Sequence, residues 1–189
     1  NGWGMDGNPF QSLASVAYDV YMLYDYQDLT PPADLQHIVE SYRRVHLISW
    51  SMGVWVGQKV FADVASHFSR TIAINGTLCP ISDRWGIPVK TFQETLNGFN
   101  ETAQMKFYRR MCREKTNLKM FLSRQPQRSH VEQRNELASL DENVVCLSVD
   151  QSIYQEIIIA EYDWVVPSEN QRQFWLGKQI TEIAGFHFL

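Results

Sequence analysis

Val45-His46-Leu47-Ile48-Ser49-Trp50-Ser51-Met52-Gly53-Val54-Trp55-Val56 is the stretch whose reading decides the fold. Its first half, Val45 to Trp50, is an apolar run with β-branched members, as expected of a strand buried on both faces. From Met52 to Phe68 the period changes, and Val56, Val60, Phe61, Val64 and Phe68 fall on one helical stripe. Ser51 sits at the junction, with Ser49 two residues before it and Gly53 two residues after. A serine on a sharp strand-to-helix turn needs small neighbours at both positions, because the turn crowds them. Gly53 meets that need fully, and Ser49 adequately, in the place usually held by glycine. The arrangement reads as a nucleophile elbow with Ser51 as its nucleophile. The alternative is a serine capping an ordinary helix.

Outward from the elbow, short apolar runs alternate with helical segments, which is the pattern of a mostly parallel central sheet flanked by helices. Val20 to Tyr24, Thr71 to Ile74, Glu156 to Ala160 and Ile180 to Ala184 read as further strands. Ala33 to Arg43 and Ser168 to Lys178 read as helices, the first entered through Pro31-Pro32. Residues 88–143 break the rhythm. Phe107, Met111, Leu118 and Leu122 recur at spacings of four and seven, marking amphipathic helices with no strand between them. The expected fold is therefore an α/β-hydrolase core made of residues 1–87 and 144–189, with a helical lid inserted at 88–143. The chain opens on a Gly-rich turn, Asn1 to Gly7, and stops soon after the last strand. We expect a strand before the first residue and a helix after the last.

In a hydrolase of this kind the acid and the histidine follow the serine along the chain. That order removes His37 and His46. His67 ends the elbow helix and His130 lies in the lid, whereas His187 follows the last strand, where a loop can carry an imidazole over Ser51. Asp163 directly follows the strand Glu156 to Ala160 and is the candidate acid; Asp150 precedes that strand and falls at the wrong edge of a parallel sheet. The oxyanion hole is assigned to the backbone N–H groups of Met52 and Trp3, the latter because Gly2 and Gly4 let the backbone approach closely.

The net charge of −4 conceals an asymmetry. Between Gln104 and Arg134 there are nine Lys/Arg (among them Arg109, Arg110, Arg113, Lys115 and Lys119) against two acids, a local charge of +7 that leaves −11 for the remainder. Such a face suits an acidic partner. Nucleic acid fits poorly with a sequence pI of about 5.7. Trp85, Phe92, Phe99 and Phe107 are the candidates to line an apolar channel. There is no G-x-G-x-x-G, no P-loop and no His/Cys cluster with metal spacing, so no cofactor or metal is expected. No stretch approaches the ~20 apolar residues of a membrane helix, and no secretory signal pattern is seen. Cys79, Cys112 and Cys146 are odd in number and widely spaced, which points to reduced thiols in a cytoplasmic protein. We expect a monomer.

Several segments together carry a family resemblance. They are Asn1-Gly2-Trp3-Gly4-Met5-Asp6, Trp50-Ser51-Met52-Gly53-Val54-Trp55, Ala73-Ile74-Asn75-Gly76-Thr77-Leu78-Cys79-Pro80-Ile81, Phe107-Tyr108-Arg109-Arg110-Met111-Cys112, and Pro167 with Asn170-Gln171. The chain resembles, along its whole length, the BioG-type pimeloyl-acyl-carrier-protein methyl ester esterases. The resemblance implies an enzyme of biotin synthesis that removes the methyl group from the carrier-bound pimeloyl ester. It implies the same triad of Ser51, Asp163 and His187, and acyl carrier protein as the acidic partner of the basic lid. Competing expectations are a general carboxylesterase, an acyl-carrier-protein thioesterase, or a catalytically silent carrier-binding module.

Overall fold

The computed structural model describes residues 1–188. Val45–Trp50 forms β1, and its chain neighbour in the sheet, Phe68–Ile74, forms β2. Glu156–Ala160 and Ile180–Ile183 follow as β3 and β4. The four strands lie in the order β1-β2-β3-β4, every pair parallel. Trp50 pairs with Ile74, and Ile74 with Ile158, so the carboxyl ends of β1, β2 and β3 converge at one edge of the sheet.

Seven α-helices accompany these strands among the described residues: α1 (Leu35–Ser41), α2 (Gly53–Phe61), α3 (Val89–Gly98), α4 (Glu101–Cys112), α5 (Lys115–Ser123), α6 (His130–Asn143) and α7 (Ser168–Phe174). The helices α3 to α6 follow one another without a strand between them. Local chemistry sets their ends. The Asn100 side chain accepts from the Ala103 N–H at the start of α4, and Arg109 and Arg110 fall in its last turn, where cations complement the helix dipole. Ser129 and Glu132 form a reciprocal capping box on α6.

Three buried clusters join these parts. One, with Leu47, Val54, Ile157, Ile159 and Trp175, lies between the sheet and the helices beside it. A second packs Trp3, Met52 and Trp55 against Phe92, Leu96, Leu137 and Leu140 of α3 and α6. The third packs Tyr108, Met111 and Phe121 of α4 and α5 against Met5, Val165 and Val166. The α3–α6 segment is thus seated on the loops at the carboxyl edge of the sheet.

The structure corrects several expectations. Val20 to Tyr24 is not a strand. No ladder forms for its backbone, and Tyr21 instead lies with its Oη 3.0 Å from Tyr42 Oη, which donates to Asp19. β1 is not buried on both faces: among the described residues it is flanked by β2 alone, and Ile48 is 59% exposed. The elbow helix ends at Phe61, and the chain tightens into a 3-10 turn over Ala62–His67, so that Phe68 can enter β2 and be buried there. Cys79 and Cys146 are not reduced thiols but a disulfide, their Cα atoms 4.2 Å apart. Sixty-seven residues of sequence hid their proximity. The chain after α6 runs beside the chain after β2, the Leu147 N–H donating to the Leu78 carbonyl at 3.0 Å. Cys112 alone is free, and burial pushes its thiol up to about 12.

Candidate active site

Ser51 has φ 59°, in the left-handed region that a non-glycine residue occupies only when its surroundings enforce it. The enforcement is visible. Its N–H donates to the Ile74 carbonyl at 2.9 Å, pinning the turn to the end of β2. Backbone presses in from two sides: a Cβ on Gly76 would lie 2.3 Å from the Ser51 carbonyl oxygen, and one on Gly53 would lie 2.0 Å from the Asn1 carbonyl oxygen. Ser49 is tolerated two residues before the turn because α2 carries Gly57 opposite it; a Cβ there would meet Ser49 Oγ at 2.5 Å.

Asp163 follows β3 in a tight turn. Its Oδ1 accepts from the N–H groups of Val165 (2.8 Å) and Val166 (3.0 Å), and its own N–H donates to Ser168 Oγ. Its Oδ2 accepts from Gln171 Nε2 at 2.9 Å and lies 2.7 Å from His187 Nδ1. His187 Nε2 lies 2.8 Å from Ser51 Oγ. Ser51, Asp163 and His187 are all buried. An acceptor-only carboxylate at Nδ1 assigns the imidazole as Nδ1–H, which leaves Nε2 free to accept the serine proton. The His187 carbonyl accepts from Trp50 Nε1 at 2.9 Å, and the Trp50 ring packs 5.1 Å from the imidazole.

Above the serine is a cleft whose apolar lining includes Trp3, Trp50, Met52, Phe92, Phe107, Leu137 and Val165, with Thr91, Thr95, Arg110 and the Ser51–His187 pair as its polar features. Phe92 and Phe107 therefore face it, while Trp85 and Phe99 do not. Trp85 packs edge-on against Phe174 beside the sheet, and Phe99 sits behind Trp3 with ring centroids 5.0 Å apart. An aromatic residue of a helical segment reads the same in sequence whether it backs a cleft or lines it, and only packing separates the two. Trp3 is held by its indole Nε1, which donates to the Gln133 carbonyl at 2.6 Å. Among the described residues, neither the Trp3 nor the Met52 backbone N–H donates to a protein acceptor.

The basic residues divide. Arg109, Arg110, Lys115 and Lys119 are exposed on α4 and α5. Arg113 ends α4 at φ 58° and stacks on the exposed Trp164 ring, its guanidinium carbon 3.4 Å from the ring centroid. Arg128 is no part of an open face: its side chain is only 8% exposed and pairs with Glu136 and Asp25. Burial raises the Glu136 carboxyl to about 7, against the opposing pull of Arg128.

Sequence reasoning did not single out Gln171 or Trp50 as parts of this site. Gln171 had a signal, since Ser168, Gln171 and Phe174 recur every three residues as the buried face of α7. An amide on such a face needs a polar partner.

Residues 1–189 match a family model described as pimeloyl-ACP methyl esterase BioG. The chain belongs to this family. It is also 37% identical over 189 residues to a malonyl-[acyl-carrier protein] O-methyltransferase of Bacteroides fragilis (strain 638R), covering 99% of this chain and 38% of that protein. The chain thus spans little more than a third of that relative's length. The crystal structure of BioG from Haemophilus influenzae superposes with a TM-score of 0.90 at 31% identity, covering 100% of this chain and 86% of that one. A hydrolase from Pseudomonas aeruginosa, at 15% identity and TM-score 0.56, covers 82% of this chain and 62% of its own. The fold is that of the α/β-hydrolases, a parallel sheet flanked by helices. Among the described residues no helix is long and apolar enough to cross a membrane, and no group of three or more His, Cys, Asp or Glu is placed to hold a metal ion.

Proposed function

We propose that this chain is a serine carboxylesterase that hydrolyses the methyl ester of pimeloyl-acyl-carrier protein, a step of biotin synthesis. The observation that carries the proposal is the hydrogen-bonded series Ser51 Oγ–His187 Nε2 and His187 Nδ1–Asp163 Oδ2, at 2.8 and 2.7 Å, beneath an apolar cleft in a BioG-family chain.

In this reading His187 Nε2 takes the Ser51 proton as Oγ attacks the ester carbonyl carbon. The oxyanion is received by the N–H groups of Met52 and Trp3, and each such donor contributes about 2.7–4 kcal/mol to transition-state stabilisation. Collapse breaks the bond to the methoxy oxygen, which leaves as methanol with the proton from His187. Water, deprotonated by the same imidazole, then hydrolyses the acyl-enzyme and releases the distal carboxylate. Asp163 holds the Nδ1–H tautomer and stabilises the transient imidazolium. The cleft residues Phe92 and Phe107 suit an acyl chain. The exposed Arg109, Arg110, Lys115 and Lys119 suit an acidic carrier protein, with residues 88–143 as the lid over a core of 1–87 and 144–189.

Mass spectrometry of methyl-pimeloyl-acyl-carrier protein incubated with the purified chain tests the reading. Loss of one methylene mass with the thioester intact supports it. Loss of the whole acyl group makes the chain a thioesterase, and no change, together with no labelling by a fluorophosphonate, makes it a binding module.

A further inference from the structure

Asn75 stands one residue beyond β2, wholly buried, with φ 49°. Asparagine is among the few non-glycine residues that enter this left-handed region readily. Its backbone N–H donates to the Ile158 carbonyl at 3.0 Å, extending the β2–β3 ladder by one rung. Its side chain then bridges the end of β3 and the segment beyond β4, just past the last backbone bond between them, in which the Tyr162 N–H donates to the Gly185 carbonyl at 3.1 Å. Oδ1 accepts from the N–H of Ala160, the last residue of β3 and three positions before Asp163, at 2.7 Å. Nδ2 donates to the carbonyls of Phe186 (3.3 Å) and His187 (3.0 Å). The segment carrying His187 lies beyond β4 and outside any helix or strand, and its backbone is held by Asn75, by Trp50 on the His187 carbonyl, and by the Phe188 N–H donating to the Met111 carbonyl at 3.2 Å.

We propose that Asn75 is a positioning residue that sets His187 against Asp163 and Ser51. The inference rests on the reading of those three as the reacting groups. The chemistry selects asparagine. The position needs an acceptor toward Ala160 and a donor toward two carbonyls, on a residue that tolerates the left-handed backbone. Aspartate would turn an oxygen toward both carbonyls. Serine is too short to span them. Glycine would keep the backbone and lose the bridge. Because proton transfer from Ser51 depends on a heavy-atom separation of 2.8 Å, freeing the histidine segment costs rate rather than substrate binding; Asn75 does not line the cleft.

The test measures the second-order rate constant and the end-point stoichiometry of fluorophosphonate labelling for the wild-type chain, Ser51→Ala, Asn75→Asp, Asn75→Gly and Thr71→Ala. Thr71 Oγ1, in the middle of β2 and four residues before Asn75, donates to the Ile153 carbonyl, so its removal loosens the same strand away from the site. We expect Asn75→Asp and Asn75→Gly to label to the same end point as wild type, with rate constants lower by about ten- to a hundredfold. Thr71→Ala should keep the wild-type rate constant. A merely structural role would lower the labelled fraction without slowing the molecules that label. Asn75→Gly decides the matter if the aspartate variant fails to fold, since glycine accepts φ 49° without strain. Asn75 variants labelling at the wild-type rate, or Thr71→Ala slowed equally, would overturn the inference while leaving the triad reading intact. A wild-type chain that does not label, or a Ser51→Ala chain that labels equally, overturns both.

Discussion

Replacing Asp163 by asparagine is the most discriminating single change, because the surrounding hydrogen bonds dictate how the new amide must lie. Asp163 Oδ1 accepts from two backbone N–H groups, those of Val165 and Val166. An amide NH2 placed there would face two donors, so the asparagine carbonyl oxygen takes the Oδ1 position. The NH2 then occupies the Oδ2 position, 2.7 Å from His187 Nδ1 and 2.9 Å from Gln171 Nε2. A donor opposite Nδ1 forces the imidazole into the Nε2–H tautomer, whose hydrogen points at Ser51 Oγ. Nε2 can then no longer accept the Ser51 proton. The analogous change in a serine-protease triad leaves the geometry intact and lowers kcat by ~10⁴, equivalent to about 5.4 kcal/mol. We expect a loss of the same order in kcat on the methyl ester, with KM little changed, because Asp163 does not line the cleft. The assay is methanol release under saturating substrate, with fluorophosphonate labelling rate as an independent reading of the serine. A variant retaining a tenth or more of wild-type kcat would refute the reasoning, whichever ester is used.

Two further outcomes follow from charge. The double reversal Arg109→Glu with Arg110→Glu removes two exposed cations of α4, and should raise KM for the carrier-bound ester and flatten its salt dependence; activity on a small free methyl ester measures how far the cleft itself has changed, since Arg110 also lines it. Unchanged KM on the carrier-bound ester would exclude this face as the docking site. For Glu136, burial raises the folded-state pKa from the usual 4.5 to about 7, so the folded protein binds this proton more tightly than the unfolded chain. Its contribution to stability is complete below pH 4.5 and is lost as pH rises through 7. The Tm advantage of wild type over Glu136→Gln should therefore shrink between pH 4.5 and pH 7, read by thermal melts at matched ionic strength. A difference independent of pH across that window would contradict the assignment.

Much of the fold was legible in sequence because it depends on local periodicity. The elbow strand, three of the four other expected strands and the succession of helices over Val89–Asn143 all appear in the structure. Val20 to Tyr24 failed for a physical reason. Its composition suits a strand, but a strand exists only when a neighbour supplies the ladder, and composition says nothing about the neighbour. Cys79 and Cys146 were misread for the same kind of reason, since their pairing depends on where two distant loops run.

The candidate site divides along the same line. Sequence order and residue type singled out Ser51, Asp163 and His187, which the structure brings within hydrogen-bond distance of one another, because the strand-to-helix turn and the order of these residues are features of the chain itself. Which groups aim and hold them came only from tertiary structure. Gln171 on the carboxylate, Trp50 and Asn75 on the His187 carbonyl, and the pairing of Arg128 with Asp25 away from the basic face are contacts between separate segments of the chain. A chain encodes through local sterics where a turn will form. The distances across which protons move are set only when the turns are packed together.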